Sequence, residues 1–243
     1  MMRYATYEIL GSTSKISAAQ MLDIIKWRKY IVQFAKNHSE EVFINGPAAE
    51  KKISLTFDDG PDSSVTPAVL GILNKNNIKG SFFFVGTQIN YFPGVVKTAY
   101  ADGHLILNHS WDHPFFTKIN SQSIKDEVIR TENRIQAIIG RKPALLRPPY
   151  GDLDEKALAA VNTTNNKAVI WSIDSMDWLN GIDRKNIVDN VVNNARPGDI
   201  VLMHSGVGQR AVLDVLQIII NELNKKKFKI VDLGELLNIN PYK

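Results

Sequence analysis

Short apolar runs that alternate with amphipathic stretches constrain the fold of this chain more than any other feature. The apolar runs lie near residues 52–57, 81–85, 104–107, 144–146, 168–173, 199–203 and 228–231. Stretches with helical spacing of apolar residues lie between most of them, for instance 121–139, 183–194 and 207–225. This alternation is typical of parallel strands joined by crossover helices, in a (β/α) barrel or an open doubly wound sheet. About seven strands favour the barrel, so we predict an α/β fold, a distorted (β/α) barrel of parallel strands.

The beginning of the chain has a different pattern. Ser17 and Gln20 have the spacing of a capping box, and the apolar residues that follow predict a helix near residues 18–36. Asn45-Gly46-Pro47 ends this pattern, so we expect residues 1–48 to form an N-terminal helical extension or linker and residues 49–243 to form the main domain. Three roles stay open for the extension: packing against the barrel, masking a groove, or following a membrane anchor.

Composition excludes several classes of protein. The chain has 243 residues, 44% hydrophobic and 22% charged, as expected for a globular protein. It has no cysteine, so disulfides and thiolate zinc sites are excluded and a metal would have to be held by histidine and carboxylate. Its net charge of +4 comes without a basic stripe interleaved with aromatics, so we expect no nucleic-acid partner. No apolar run approaches the roughly 18 residues of a membrane span, and we find no signal peptide.

Two motifs predict a metal site. Asp58 and Asp59 follow the apolar run at residues 52–57, where a buried strand is expected to end. His109 and His113 are four residues apart, so on a helical turn both imidazoles would project from one face and hold the same ion. One carboxylate and two imidazoles supply three ligands. Taken alone, the paired aspartates before Gly-Pro are more typical of a turn than of a metal site.

Further reactive residues follow the other predicted strands. They are Arg147, Pro148, Pro149 and Tyr150, then Asp174, Asp177 and Trp178, and finally His204. Because the carboxyl ends of barrel strands open on one face, we expect these side chains to converge. Each has an ordinary structural explanation, such as a rigid proline loop or a satisfied histidine at a strand end. Unrelated turns, however, would have no reason to supply such an ordered series.

In this order, the motifs resemble those of the polysaccharide deacetylases of carbohydrate esterase family 4, which include chitin deacetylases and peptidoglycan N-acetylglucosamine deacetylases. The resemblance covers roughly residues 50–237. It implies a metal-dependent hydrolase that removes N-acetyl groups from β-1,4-linked N-acetylglucosamine in peptidoglycan or chitooligosaccharides. It also implies Zn²⁺ as the cofactor, with Co²⁺ or another divalent cation as the alternative.

The resemblance implies a role for each matching residue of the metal site. Asp59, His109 and His113 would be the metal ligands, which leaves a position open for water. Asp58 would be the catalytic base that takes a proton as water attacks the acetamide carbonyl. Arg147 would hold Asp58 by a charge-assisted pair.

The remaining matches imply roles in charge stabilisation and substrate binding. The backbone N–H of Tyr150 would stabilise the oxyanion. His204 would protonate the departing amine, oriented by Asp177, although sequence does not separate Asp177 from Asp174 as its partner. The residues expected to contact substrate are Trp178 and Leu202, as walls of an acetyl pocket, together with Pro148 and Pro149.

Several functional alternatives stay open. The same machinery suits O-deacetylation of a polysaccharide such as acetylxylan, and a non-catalytic glycan-binding relative would keep the fold. A non-haem iron oxygenase also uses two histidines and a carboxylate, but its sites usually lie on antiparallel barrels. We expect an N-acetylated glycan as the partner, a monomer, and a secreted or envelope-associated protein, while the missing signal peptide keeps a cytoplasmic location open.

Overall fold

Parallel strands and surrounding helices make up the described part of the chain, residues 4–243, in this computed structural model. The strands are β1 (Val42–Phe43), β2 (Lys52–Asp58), β3 (Ser81–Phe84), β4 (Leu105–Asn108), β5 (Leu145–Leu146), β6 (Lys167–Val169), β7 (Ile173–Asp174), β8 (Ile200–His204) and β9 (Lys229–Ile230). The helices are α1 (Ala18–Asn37), α2 (Val65–Lys75), α3 (Gly86–Tyr91), α4 (Pro93–Ala101), α5 (Ser121–Ile139), α6 (Glu155–Asn162), α7 (Arg184–Val192), α8 (Ala211–Lys225) and α9 (Leu233–Leu237). Short 3₁₀ helices lie at Phe116–Lys118 and Pro149–Gly151.

The strands form one sheet with the order β1-β6-β5-β4-β3-β2-β8-β7, and β9 pairs with the start of β2. The strand pairings are parallel, so the predicted α/β class and distorted barrel are confirmed. Strands β1 and β7 are the two ends of this order. Two isolated bridges lie at these ends, Leu10 beside Ile173 of β7 and Asn45, just after β1, beside Asp199.

The predicted strand near residues 168–173 is divided into β6 and β7. Ile170 N–H donates to Phe43 of β1, whereas Ser172 N–H donates to Ile200 of β8. The chain therefore changes its neighbour within three residues, which breaks one apolar run into two short strands. The two-residue strand β1 was not predicted, because such a short segment carries no recognisable period.

The predicted helices are confirmed, with small changes at their ends. Ser17 Oγ accepts from Gln20 N–H at 3.2 Å, and Gln20 Oε1 accepts from Ser17 N–H at 2.9 Å, so the capping box starts α1. Helix α5 has the predicted bounds. Helix α8 starts at Ala211 rather than at residue 207, because residues 205–210 form a loop over the strand ends.

Helix α1 packs against the barrel. Ile31 and Ala35 are buried in the same core as the barrel residues Leu146 and Ala168. Trp27 lies against Trp171, with ring centroids 5.3 Å apart. Within residues 4–243, none of the helices combines the length and the apolar character needed to cross a membrane.

Alternate residues of β2 lie in two different environments. Leu55 and Phe57 belong to the apolar core that includes residues of α2 and α8. Thr56 and Asp58 are also buried, but they contact the guanidinium of Arg147. This period of two places a polar row inside the barrel, leading to the carboxyl end of the strand.

Candidate active site

The carboxyl ends of β2, β4, β5, β7 and β8 bring the predicted reactive residues together. Asp58, the last residue of β2, pairs in register with His204, the last residue of β8. Asn108 of β4 pairs with Leu146 of β5, so the following residues His109 and Arg147 are neighbours. The strand ends thus converge as the barrel prediction requires.

A buried ion pair forms the floor of the site. Arg147 Nη1 donates to Asp58 Oδ1 at 2.7 Å, and both side chains are almost inaccessible to solvent. The guanidinium also donates to Thr56 Oγ1 and to the carbonyls of Val169 and Ile170. Burial lowers the pKa of Arg147, while the charge and hydrogen bond of Asp58 raise it. These partners fix one oxygen of Asp58 and leave Oδ2 facing the histidines, 3.7 Å from His109 Nε2.

Asp59, His109 and His113 converge as a group whose side chains could hold a metal ion. Asp59 Oδ1 lies 3.4 Å from His109 Nε2 and 3.3 Å from His113 Nε2, and the two Nε2 atoms are 3.2 Å apart. Ligands about 2.0 Å from a tetrahedral Zn²⁺ lie about 3.3 Å from one another. The three atoms therefore fit three corners of such a coordination shell.

The helical turn predicted for residues 109–113 is wrong. The segment is a bent loop in which Ser110 has φ 65° and His113 has φ 61°. Ser110 Oγ accepts from His113 N–H at 3.0 Å, and this contact closes the loop. The imidazoles meet because the loop reverses direction, not because they share a helix face.

Hydrogen bonds orient the ligands. His109 Nδ1 lies 2.8 Å from the carbonyl of Arg147, so Nδ1 carries the proton and Nε2 is free to bind a cation. Gln209 Nε2 donates to Asp59 Oδ2 at 2.6 Å, which leaves Oδ1 directed at the imidazoles. Glu127 Oε2 accepts from the N–H groups of Trp111 and Asp112 and holds the loop between the two histidines.

The electrostatics of Asp59 favour its ionised form. Burial would raise the pKa of this carboxyl, but the adjacent imidazoles of His109 and His113 and the charge of His204 hold the pKa well below its usual range. Asp59 is therefore a carboxylate at neutral pH, as a metal ligand must be.

His204 pairs with Asp177. Asp177 Oδ1 lies 2.7 Å from His204 Nδ1, and Asp177 Oδ2 accepts from His204 N–H at 2.9 Å. Burial alone would lower the pKa of His204, but Asp177, with help from Asp59 and Asp58, raises that pKa to about 10. Asp174, the other candidate for this partnership, instead lies 3.3 Å from Arg28 of α1.

Tyr150 lies at the rim of the site in a strained backbone conformation, with φ 61°. Its ring is half exposed, stacks on Phe115 at 3.9 Å and meets His113 edge-on at 4.6 Å. Pro148 and Pro149 are buried and restrict the loop that presents Tyr150. Their contact with substrate, and the oxyanion role of Tyr150, stay predictions.

Trp178 and Leu202 differ in exposure. The Trp178 side chain is 41% exposed, whereas Leu202 is only 4% exposed and lies in the barrel core, in register with Thr56 and Asp174. Trp178 Nε1 donates to Asp174 Oδ1 at 3.2 Å. The acetyl pocket assigned to Trp178 and Leu202 stays a prediction.

Sequence reasoning did not single out four residues that support the site: Arg28, Thr56, Glu127 and Gln209. Thr56 had a detectable signal, since a polar residue at an inward position of a buried strand needs a partner. The other three contact groups that lie 15 to 150 positions away in the chain, and their spacing carries no signal.

The fold and site define a class of protein, an α/β barrel with a histidine, histidine and carboxylate centre at its strand ends. The sequence profile of the polysaccharide deacetylases matches residues 45–169. A peptidoglycan N-acetylglucosamine deacetylase of Bacillus cereus is 37% identical over 194 residues, which cover 79% of this chain and 70% of the relative. The chain belongs to the polysaccharide deacetylase family, and the family and enzyme class predicted from the motifs are confirmed.

One solved structure and a second sequence relative agree with this assignment. The crystal structure of a peptidoglycan N-acetylglucosamine deacetylase superposes with a TM-score of 0.81 at 33% identity, covering 84% of this chain and 97% of that one. A second sequence relative, a peptidoglycan N-acetylmuramic acid deacetylase of Bacillus subtilis, is 31% identical over 77% of this chain and 39% of its own length.

Proposed function

We propose that this protein is a metal-dependent hydrolase that removes the N-acetyl group of N-acetylglucosamine in peptidoglycan, with Zn²⁺ as the cation. The observation that carries the proposal is the spacing of Asp59 Oδ1, His109 Nε2 and His113 Nε2 beside Oδ2 of the buried Asp58, the oxygen that Arg147 does not occupy. A cation site next to a free carboxylate oxygen suits hydrolysis, because water can be activated and deprotonated at one place.

The residues present fit a divalent cation. Asp59, His109 and His113 would hold it, and the ionised carboxylate and the Nδ1-protonated His109 are in the required states. When bound, a cation such as Zn²⁺ supplies Lewis acidity, which polarises a carbonyl and makes water more acidic. Co²⁺ suits the same donor set.

Asp58 and His204 divide the proton transfers. Arg147 occupies Asp58 Oδ1, so Asp58 Oδ2 is the atom that would take a proton from the attacking water. Asp177 occupies His204 Nδ1, so His204 Nε2 is the atom that would give a proton to the departing amine. The raised pKa of His204 keeps it protonated at neutral pH for this purpose.

Two features support substrate stabilisation. The Tyr150 backbone N–H, on a loop restricted by two prolines, would donate to the developing oxyanion. The half-exposed Trp178 indole, beside Asp177, would cover the acetyl methyl, with Leu202 beneath it.

Peptidoglycan is the proposed substrate because the Bacillus cereus relative and the solved deacetylase are both named for it. A net charge of +4 would also attract the chain to an anionic cell wall, so we propose that it acts at the envelope. The N-acetylmuramic acid deacetylase among the relatives makes the neighbouring sugar the competing target.

Acetate release tests the proposal. Purified peptidoglycan and N-acetylglucosamine oligomers would be incubated with protein, with and without chelator, and the sugar attacked would be identified by mass spectrometry of muramidase fragments. We expect release that chelator abolishes and Zn²⁺ or Co²⁺ restores. Asp58→Asn should lower the rate about 10²- to 10⁴-fold, whereas Asp23→Asn on the exposed face of α1 should not change it.

Three results would contradict parts of this proposal. Release from acetylxylan but not from either N-acetylated glycan would assign O-deacetylation. Deacetylated muramic acid in the fragments would assign the neighbouring sugar. Metal binding without acetate release from any glycan would favour a binding protein.

A further inference from the structure

The N-terminal segment and the loop after β7 are joined by a buried ion pair. Arg28 of α1 is 8% exposed and Asp174 is 5% exposed, and Arg28 Nη2 lies 3.3 Å from Asp174 Oδ2. Arg28 Nη1 also donates to the Gly11 carbonyl at 2.6 Å, and the Leu10 carbonyl accepts from Asp174 N–H at 2.8 Å. The loop therefore begins on a surface that residues 10–28 provide.

Asp174 connects Arg28 to the proposed substrate pocket. Its Oδ1 atom accepts from Met176 N–H at 2.9 Å and from the Trp178 indole N–H at 3.2 Å, while its Oδ2 atom accepts from Arg28. One carboxylate thus links a guanidinium on α1 to the ring proposed to cover the acetyl methyl. Asp177, the partner of His204, lies between Met176 and Trp178 in the same loop.

The loop needs such a support. Met176 has φ 66°, an unfavourable conformation for a residue with a side chain. Burial raises the pKa of Asp174, whereas the charge of Arg28 lowers it. Without Arg28, the buried carboxylate would lose the guanidinium that pairs with it, and protonation would weaken its acceptance of both N–H groups.

We propose that Arg28 is a positioning residue that sets the acyl selectivity of the pocket, because its ion pair with Asp174 holds the Trp178 indole in place. This inference rests on the proposed deacetylase function. Arg28 lies on α1, before the residues 45–169 that the family profile matches. A purely structural tether would affect stability and leave selectivity unchanged.

Acyl selectivity separates the two roles. Rates and KM values would be compared for oligomers carrying N-acetyl or N-propionyl groups, which differ by one methylene. A fitted apolar pocket discriminates one methylene about 10- to 200-fold. We expect Arg28→Met to lower the acetyl preference about tenfold, through kcat, and Arg28→Lys to recover part of it. The matched control is Arg184→Met, which removes an exposed arginine paired with Asp214 and should keep the preference.

A second readout does not depend on activity. The chain has four tryptophans, so 5-fluorotryptophan labelling gives four ¹⁹F signals that Trp→Phe variants assign. We expect Arg28→Met to shift or broaden the Trp178 signal and to leave that of Trp111 unchanged. Asp174→Asn, which retains the side-chain shape, should change the Trp178 signal in the same way if Arg28→Met fails to fold.

The outcomes are distinguishable. An unchanged acetyl preference and an unchanged Trp178 signal in a folded Arg28→Met protein would overturn the inference, even if the urea midpoint fell. If no acylated glycan is a substrate, the proposed function fails, and the ¹⁹F signal of Trp178 alone still decides whether Arg28 positions the indole.

Discussion

The site has two halves that are supported in different ways. The metal half, Asp59, His109 and His113, follows β2 and β4 and is oriented by residues of the barrel and its loops. The acid half, Asp177, Trp178 and His204, follows β7 and β8, and its loop is supported by residues 10–28. The metal half lies within the profile match at residues 45–169, and the acid half follows it in the chain. One active site thus combines a part that the barrel holds by itself with a part that depends on the N-terminal segment.

The largest effect is expected from removing Arg147, whose buried ion pair with Asp58 forms the floor of both halves. Arg147→Met would leave the buried carboxylate of Asp58 without its cation, so we expect a loss of about 3–5 kcal/mol in the free energy of unfolding, measured with urea. The double variant Arg147→Met with Asp58→Asn should lose less, because the unpaired charge is gone. Equal losses in the single and double variants would argue against a charge effect.

Asp177→Asn tests the acid half. Without the carboxylate, the pKa of His204 should fall from about 10, so the alkaline limb of the kcat profile should move to lower pH by about 1–3 units. Because the folded-state pKa is raised, the stability from this pair is present below about pH 6.5 and is lost as pH rises through about 10. The urea midpoint of the wild-type protein should exceed that of the variant at the lower end of this pH range, and the difference should disappear at the upper end. An unmoved alkaline limb would remove His204 from the role of acid.

Gln209→Ala tests the metal half by itself. The amide donates to Asp59 Oδ2, so its loss should lower zinc affinity about 10- to 100-fold, measured by competition with a chromophoric chelator. Gln217→Ala on α8, whose amide pairs with Asn76, is the matched control and should keep full affinity. Equal zinc affinities for wild type and Gln209→Ala would show that the barrel orients Asp59 without the loop at residues 205–210.

The smallest changes in stability are expected from alanine substitutions at two glycines. Gly11 has φ 121°, and an added Cβ would lie 2.0 Å from the Asp174 carbonyl oxygen, so Gly11→Ala should destabilise the protein by about 1–3 kcal/mol. Gly71 lies on an exposed position of α2 with open space around it, so Gly71→Ala should stabilise by about 0.5–1 kcal/mol. Both values come from urea unfolding. A neutral Gly11→Ala would show that the N-terminal segment is not seated against the acid half.

Prediction from the sequence was most successful where a signal is local. The capping box at Ser17 and the helix at residues 121–139 depend on neighbours within four residues and were confirmed. The division of the run at residues 168–173 was missed, because it depends on which strand accepts each hydrogen bond. The helical turn at residues 109–113 was wrong, because a four-residue spacing is also produced by a loop that reverses direction.

By itself, the sequence determined the alternation that makes an α/β barrel and the types of residue at its strand ends. Both follow from side-chain chemistry and short-range periodicity. Only the tertiary structure decided that His204 pairs with Asp177 while Asp174 pairs with Arg28, and that Gln209 holds Asp59. Those choices join residues up to 150 positions apart in the chain, and they depend on which side chains the folded barrel buries next to one another.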